Sequence, residues 1–101
     1  MQADMQQYRY QALRELLAAI QAADHDYETR YGLVLEAIAA AHRAGLEVGF
    51  RCDTNEPDWP VAYIELPSGQ VSWHVPQHAR PWDGHSTQEK YQRIARFLQT
   101  G

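Results

Sequence analysis

Four side chains able to hold a zinc-type metal fall close together near the end of the chain: His74, His78, Asp83 and His85. Imidazole nitrogens and a carboxylate are the donors such an ion takes. His74 and His78 stand four apart, yet Pro76 lies between them, so the helical turn that would bring both onto one face is not available. The spacing matches no established metal motif, and the histidines read better as surface contacts or hydrogen-bond anchors of a loop. Hydrolytic chemistry would instead need an activated nucleophile. Cys52, Ser68, Ser72 and Ser86 are the candidates, and none sits in a G-x-S-x-G setting or beside a glycine-rich oxyanion loop. Ser86 is better used as a helix cap, and Cys52 as a small semi-buried residue at a strand end.

Asp53, Asn55, Glu56 and Asp58 suggest calcium, but the sixth position of an EF-hand loop must be Gly, and here it is Asp58 after a proline. A solvated acidic loop is the reading. Phosphate-binding glycine motifs are absent from the sequence, and Lys90, Arg93 and Arg96 make one ridge of a solvated helix face. No catalytic residue, metal ligand or cofactor is assigned, and the chain is read as a non-enzyme.

The elements that must position these residues follow from periodicity. Asp4 and Gln7 form a capping pair ahead of a stripe at Tyr10, Leu13, Leu16, Leu17 and Ile20, predicting a helix from about residue 5 to 23. Asp24 and Asp26 are N-cap candidates for a second helix with its stripe at Tyr27, Tyr31, Val34, Ile38 and Ala41. Gly45 stands where a left-handed C-cap is wanted, with Leu46 to make the accompanying apolar contact. From Leu46 the period changes to two, and strands are expected at Leu46 to Arg51, Val61 to Leu66 and Gln70 to Val75.

A two-residue Ser68-Gly69 loop pairs Leu66 with Val71, Ile64 with Trp73 and Ala62 with Val75, which puts the apolar residues on one face. The other face then carries Val61, Tyr63, Glu65, Ser72 and His74, with Tyr63 opposite His74. Ten aperiodic residues, Gln77 to Ser86, lead to a Ser86 and Glu89 capping box and a third helix with its stripe at Tyr91, Ile94, Ala95 and Leu98. Trp73 belongs to the core. Trp82, in a Pro-Trp-Asp-Gly loop, either plugs the third helix onto the sheet or stands out as a binding anchor.

With 101 residues, 45% hydrophobic and 22% charged, the chain is long enough for a single domain, residues 1–101, with a modest core. A net charge of −4 disfavours nucleic acid as a partner. One cysteine excludes an internal disulfide framework and fits a reducing compartment, so a cytoplasmic location is expected. No apolar run approaches the ~18 residues of a membrane span, and no signal peptide is expected.

At PVAYIELPSGQVSWHVP and PWDGHSTQEKYQRI the chain resembles small proteins of unknown function encoded by bacteriophages and mobile elements. In these a G-Q-V-S-W-H strand is followed by W-D-G-H-[ST]-x-x-E-K-Y. The resemblance covers the C-terminal 40 or so residues and carries over no catalytic residue. It implies a phage or prophage setting, in which short acidic proteins bind host proteins, including as inhibitors of CRISPR or other defence systems.

The expectation is therefore an α+β domain of order α-α-β-β-β-α, a three-stranded antiparallel meander with helices packed on one face. It binds a host protein through the open sheet face and the following loop, with Tyr63, Glu65, His74, His78, Arg80, Trp82 and His85 as contacts. The same face would serve a homodimer. The alternatives are a metal-dependent hydrolase built on His74, His78, Asp83 and His85, and a small-molecule or nucleotide-binding protein.

Overall fold

The computed structural model describes residues 2–23, 26–79 and 87–100, for 2–8, 87 and 100 the backbone alone. The elements run α1 (Gln2–Ala22), α2 (Tyr27–Arg43), β1 (Val48–Cys52), β2 (Pro60–Leu66), β3 (Gly69–His74), a 3-10 turn (Pro76–His78) and α3 (Thr87–Thr100). The order is the α-α-β-β-β-α expected, and both strand pairs are antiparallel in the sheet order β1-β2-β3. No described helix is long and apolar enough to cross a membrane.

The caps were largely legible. Asp26 begins α2, accepting from the Thr29 amide at 3.2 Å and from the Thr29 hydroxyl at 2.7 Å. These bonds, the hydroxyl first, hold its carboxyl below the usual range. At the other end Gly45 takes φ +88°, with bonds from Gly45 N to His42 O at 3.0 Å and from Leu46 N to Ala41 O at 3.0 Å. That pair is the Schellman closure, and glycine alone enters it without a Cβ penalty. Arg9 donates from Nε to Ala44 O at 2.8 Å. The start of α1 thus caps the end of α2 and makes the two helices antiparallel. Asp4, expected as an N-cap, instead lies inside α1, which already begins at Gln2.

A single core joins Leu13, Leu17 and Ile20 of α1, Val34, Ala37, Ala40 and Ala41 of α2, Ala62, Ile64, Leu66, Val71 and Trp73 of the sheet, and Ile94 and Phe97 of α3. The alanines of α2 let it approach both α1 and the sheet. All these strand residues share one face, so the sorting of faces expected from the alternation holds.

The register differs. Leu66 pairs with Gly69, Ile64 with Val71 and Ala62 with Trp73, two residues from the expected pairing. A shift of two keeps every side chain on its face, and three features favour it. Pro67 presets the first central position of a Pro67-Ser68 turn. Gly69, at φ +133°, opens β3 where a Cβ would stand 2.9 Å from Arg93 Cδ. The Trp73 indole stands across from Ala62, where a small partner leaves room for it. Tyr63 consequently faces Ser72, and His74 faces Val61.

Of the basic ridge of α3, Arg96 is exposed, but Lys90 and Arg93 turn onto the sheet edge instead of a solvated face. Lys90 Nζ donates to Ser72 O at 3.0 Å and lies 5.3 Å from the centre of the Trp73 ring, while Arg93 Nη1 donates to Gln70 O at 2.6 Å. The Ser68 hydroxyl returns a bond to Arg93 O at 2.6 Å. In β3 the carbonyls of Gln70 and Ser72 point away from β2, and α3 lies along that edge, satisfying them at its own i, i+3 spacing. This rotates the buried stripe of α3 to Lys90, Ile94 and Phe97, leaving Tyr91 at 37% exposure and Ala95 exposed. Periodicity missed it because two of the inward positions are charged.

Candidate functional site

Each outer-face row of the sheet runs across three strands. Glu65 stands between Glu47 and Gln70, Tyr63 between Gly49 and Ser72, and Val61 between Arg51 and His74. Arg51 reaches from the third row to donate from Nη2 to Gln70 Oε1, and within the first row Gln70 Nε2 donates to Glu65 Oε1. Tyr63 lies across Gly49, whose missing Cβ leaves space for the ring at 3.3 Å, and its hydroxyl donates to Glu47 Oε2 at 3.1 Å. That bond to a carboxylate keeps the Tyr63 hydroxyl protonated to higher pH than usual. Tyr63 and Glu65 are half-buried, so this end of the face is available to a partner.

The other end is closed. Val61, Ser72 and His74 are 1%, 2% and 7% exposed, so the face expected to be open throughout is open at one end. His74 is held by Asp53, with Nε2 to Oδ2 at 2.7 Å. The second oxygen of Asp53 accepts from the amides of Asn55 at 2.7 Å and Glu56 at 3.2 Å. Burial works to raise the Asp53 carboxyl, but the Asn55 amide, the His74 ring and the Glu56 amide together outweigh it and keep the group below its ordinary value. The acidic loop is thus a structured turn, and its residues 54–58 are exposed, in keeping with the solvated loop expected. It is closed further by bonds from Asp53 N to Trp59 O at 2.8 Å and from Trp59 N to Glu56 O at 2.9 Å.

Trp59 completes the cluster. Its ring meets His74 edge-on, with centroids 5.2 Å apart, and stacks on His78 at 4.8 Å with 12° between planes. The Pro76–His78 turn sets His78 there through its amide bond to Val75 O at 2.9 Å. Trp59 and His78 are both half-exposed. On the side toward α2, an open groove of about 850 Å³ is lined by Glu28, Tyr31, Gly32, Pro60, Val75 and Pro76, with Gln77 at its rim.

Of the expected contacts, the structure gathers His74 and His78 around Trp59 and puts Tyr63 and Glu65 on the same face. Arg80, Trp82 and His85 lie outside the described residues, as do Asp83 and Ser86. Among the described residues no three His, Cys, Asp or Glu side chains converge as metal ligands would. Cys52, expected to be semi-buried, is an exposed free thiol. Asp53 and Trp59 were missed as site residues. The signal was present in register, because the β1 to β2 pairing continued past Arg51 and Val61 brings Asp53 and Trp59 opposite each other, beside the end of β3.

Fold and cluster together define a small α+β domain with a buried carboxylate–histidine pair under a stacked Trp and His. The family model described as the WDGH domain matches residues 14–97, and the chain belongs to that family. The matched stretch contains the tetrapeptide Trp82-Asp83-Gly84-His85, which spells the family's name. Comparison with curated proteins and with solved structures returns no match.

Proposed function

We propose that this protein acts by non-enzymatic binding of a protein partner, through the outer sheet face and the Trp59, His74 and His78 cluster at its end. The observation that carries the reading is the commitment of Asp53 and His74 to each other. A carboxylate holding His74 and two backbone amides stiffens its loop, and that loop presents Trp59 stacked on His78 at the surface. A large aromatic held rigid beside polar groups makes an effective anchor, because little side-chain freedom is left to lose on binding. Tyr63, Glu65, His74 and His78 are the contacts on the described surface, with Arg80, Trp82 and His85, which lie outside the described residues, retained from the sequence reading. The resemblance to bacteriophage-encoded proteins supports a phage or prophage setting, with a host protein as partner, such as a component of a CRISPR or other defence system.

Affinity capture from host lysate with wild type and Trp59→Ala tests the proposal. A partner retained by wild type and held about tenfold or more weakly by the variant, the scale of an interface anchor, supports it. Equal retention by both, or no partner above background, overturns it.

One observation favours a second reading. A carboxylate on a histidine ring is also how metal-ligating imidazoles are oriented, which suits a metal-dependent hydrolase using His74, His78, Asp83 and His85. Stoichiometric zinc or manganese in purified protein, lost in His78→Ala, would replace the binding proposal with this one.

A further inference from the structure

The two edges of the sheet are finished differently. Along β3, Lys90 and Arg93 satisfy the outward carbonyls of Ser72 and Gln70. Along β1, the bonds from Glu65 N to Glu47 O and from Asp53 N to Trp59 O fix which residues turn toward β2. They are Glu47, Gly49, Arg51 and Asp53, so the N–H and C=O groups of Val48, Phe50 and Cys52 point outward from the sheet. The Cys52 carbonyl accepts from Arg51 Nη1 at 3.0 Å. Among the described residues, no hydrogen bond reaches the outward groups of Val48 or Phe50. The side chain of Phe50 belongs to the core face, yet it is 58% exposed, because the sheet ends there.

We infer that β1 pairs antiparallel with β1 of a second copy of this chain about a two-fold axis at Phe50. The strand is self-complementary in that register. Phe50 meets Phe50 as a hydrogen-bonded pair, and Val48 meets Cys52 of the second copy on each side, so all three outward-facing residues are matched. Centring the axis on Val48 or Cys52 would leave part of the strand unpaired. The two Phe50 rings fall side by side on the core face, an aromatic cross-strand pair of the stabilising kind. On the outer face Gly49 stands opposite Arg51. One step beyond the strand Glu47 stands opposite Asp53 of the second copy, and the Arg51 beside that Asp53 lies diagonal to the same Glu47 and offsets the like charges. The result is a continuous six-stranded sheet in which the bare edges have gone and the edges closed by α3 remain. This contact uses the edge of β1 rather than the Trp59 and His78 stack, so Phe50→Glu and Trp59→Ala test the two proposals separately.

Light scattering and cross-linking test it. Wild type is expected at twice the 11.6 kDa chain mass, and Phe50→Glu at the chain mass with an unchanged circular dichroism spectrum. The Val48→Cys variant places its new thiol opposite native Cys52 of the second copy. Hydrogen-bonded antiparallel residues are about 5.5 Å apart at Cα, within disulfide reach, so mild oxidation should give a covalent dimer. Wild type should not cross-link, because its two Cys52 residues are separated by about four residue steps along the strand, roughly 13 Å. A monomeric wild type, a Phe50→Glu variant that remains dimeric, or cross-linking through native Cys52 alone would overturn the inference.

Discussion

Replacing Phe97 by Ala should lower the unfolding free energy by about 3 to 5 kcal/mol, the usual cost of deleting a buried phenyl ring. Phe97 is 1% exposed and meets Tyr10 edge-to-face, with ring centroids 5.5 Å apart and planes at 72°. It is therefore where α3 joins α1 as well as the sheet. The Tyr10 ring and the common core would lose contacts together. Small domains have about 5 to 15 kcal/mol to lose, so a large part of the total should disappear. Urea denaturation would read this as a lower midpoint at an unchanged slope. A loss below about 1 kcal/mol would mean that α3 is not seated as described.

The second large effect is expected at Asp53. Removing its carboxylate in Asp53→Ala leaves the 7%-exposed His74 ring and two loop amides without their shared acceptor. A stranded buried polar group costs about 1 to 3 kcal/mol, and the Trp59 and His78 stack should lose its fixed position. Near-ultraviolet circular dichroism would show this as a reduced tryptophan signal. Asp53→Asn gives the pH dependence. The folded-state pKa of Asp53 is depressed, so its contribution is present above the unfolded value, about 3.9. It is lost as the pH falls through the folded value, because the unfolded chain then takes up the proton more readily. Wild type should therefore lose stability below about pH 4 more steeply than Asp53→Asn. Part of the slope should survive in the variant, because the Asp26 carboxyl is depressed too. Identical acid limbs for the two proteins would contradict the assignment.

The parts of this fold that periodicity governs were legible. Leu13, Leu17 and Ile20 mark one helical face, Ala62, Ile64 and Leu66 one strand face, and Gly45 a stop signal that few other residues could provide. What could not be read was pairing at finer grain than the face. Alternation is blind to a slip of two, and the choice between Ser68-Gly69 and Pro67-Ser68 turns was settled by Ala62 beneath Trp73 and by Arg93 passing over Gly69. Lys90 and Arg93 were unreadable for a different reason. A charged side chain on a helix is solvated by default, and the exception arises when a sheet edge offers it carbonyls in place of water.

The candidate site was half legible. His74 and His78 stood out by residue type, but their organiser, Asp53, is 21 residues from His74 in sequence. It looked like one acid among several in a polar loop. Only the three-strand register brings the start of that loop beside the end of β3. Trp59 was missed for the same reason, since its ring is fixed by residues from both the β3 end and the Pro76–His78 turn.

The central claim is that the outer sheet face and the Trp59 cluster form the surface a protein partner covers. Hydrogen–deuterium exchange of the chain alone and with its captured partner tests it most directly. Slowed exchange at residues 53–65 and 70–78, with α1 unchanged, is the predicted result. Protection confined to α1 and α2, with residues 53–65 and 70–78 exchanging as in the free chain, would contradict it.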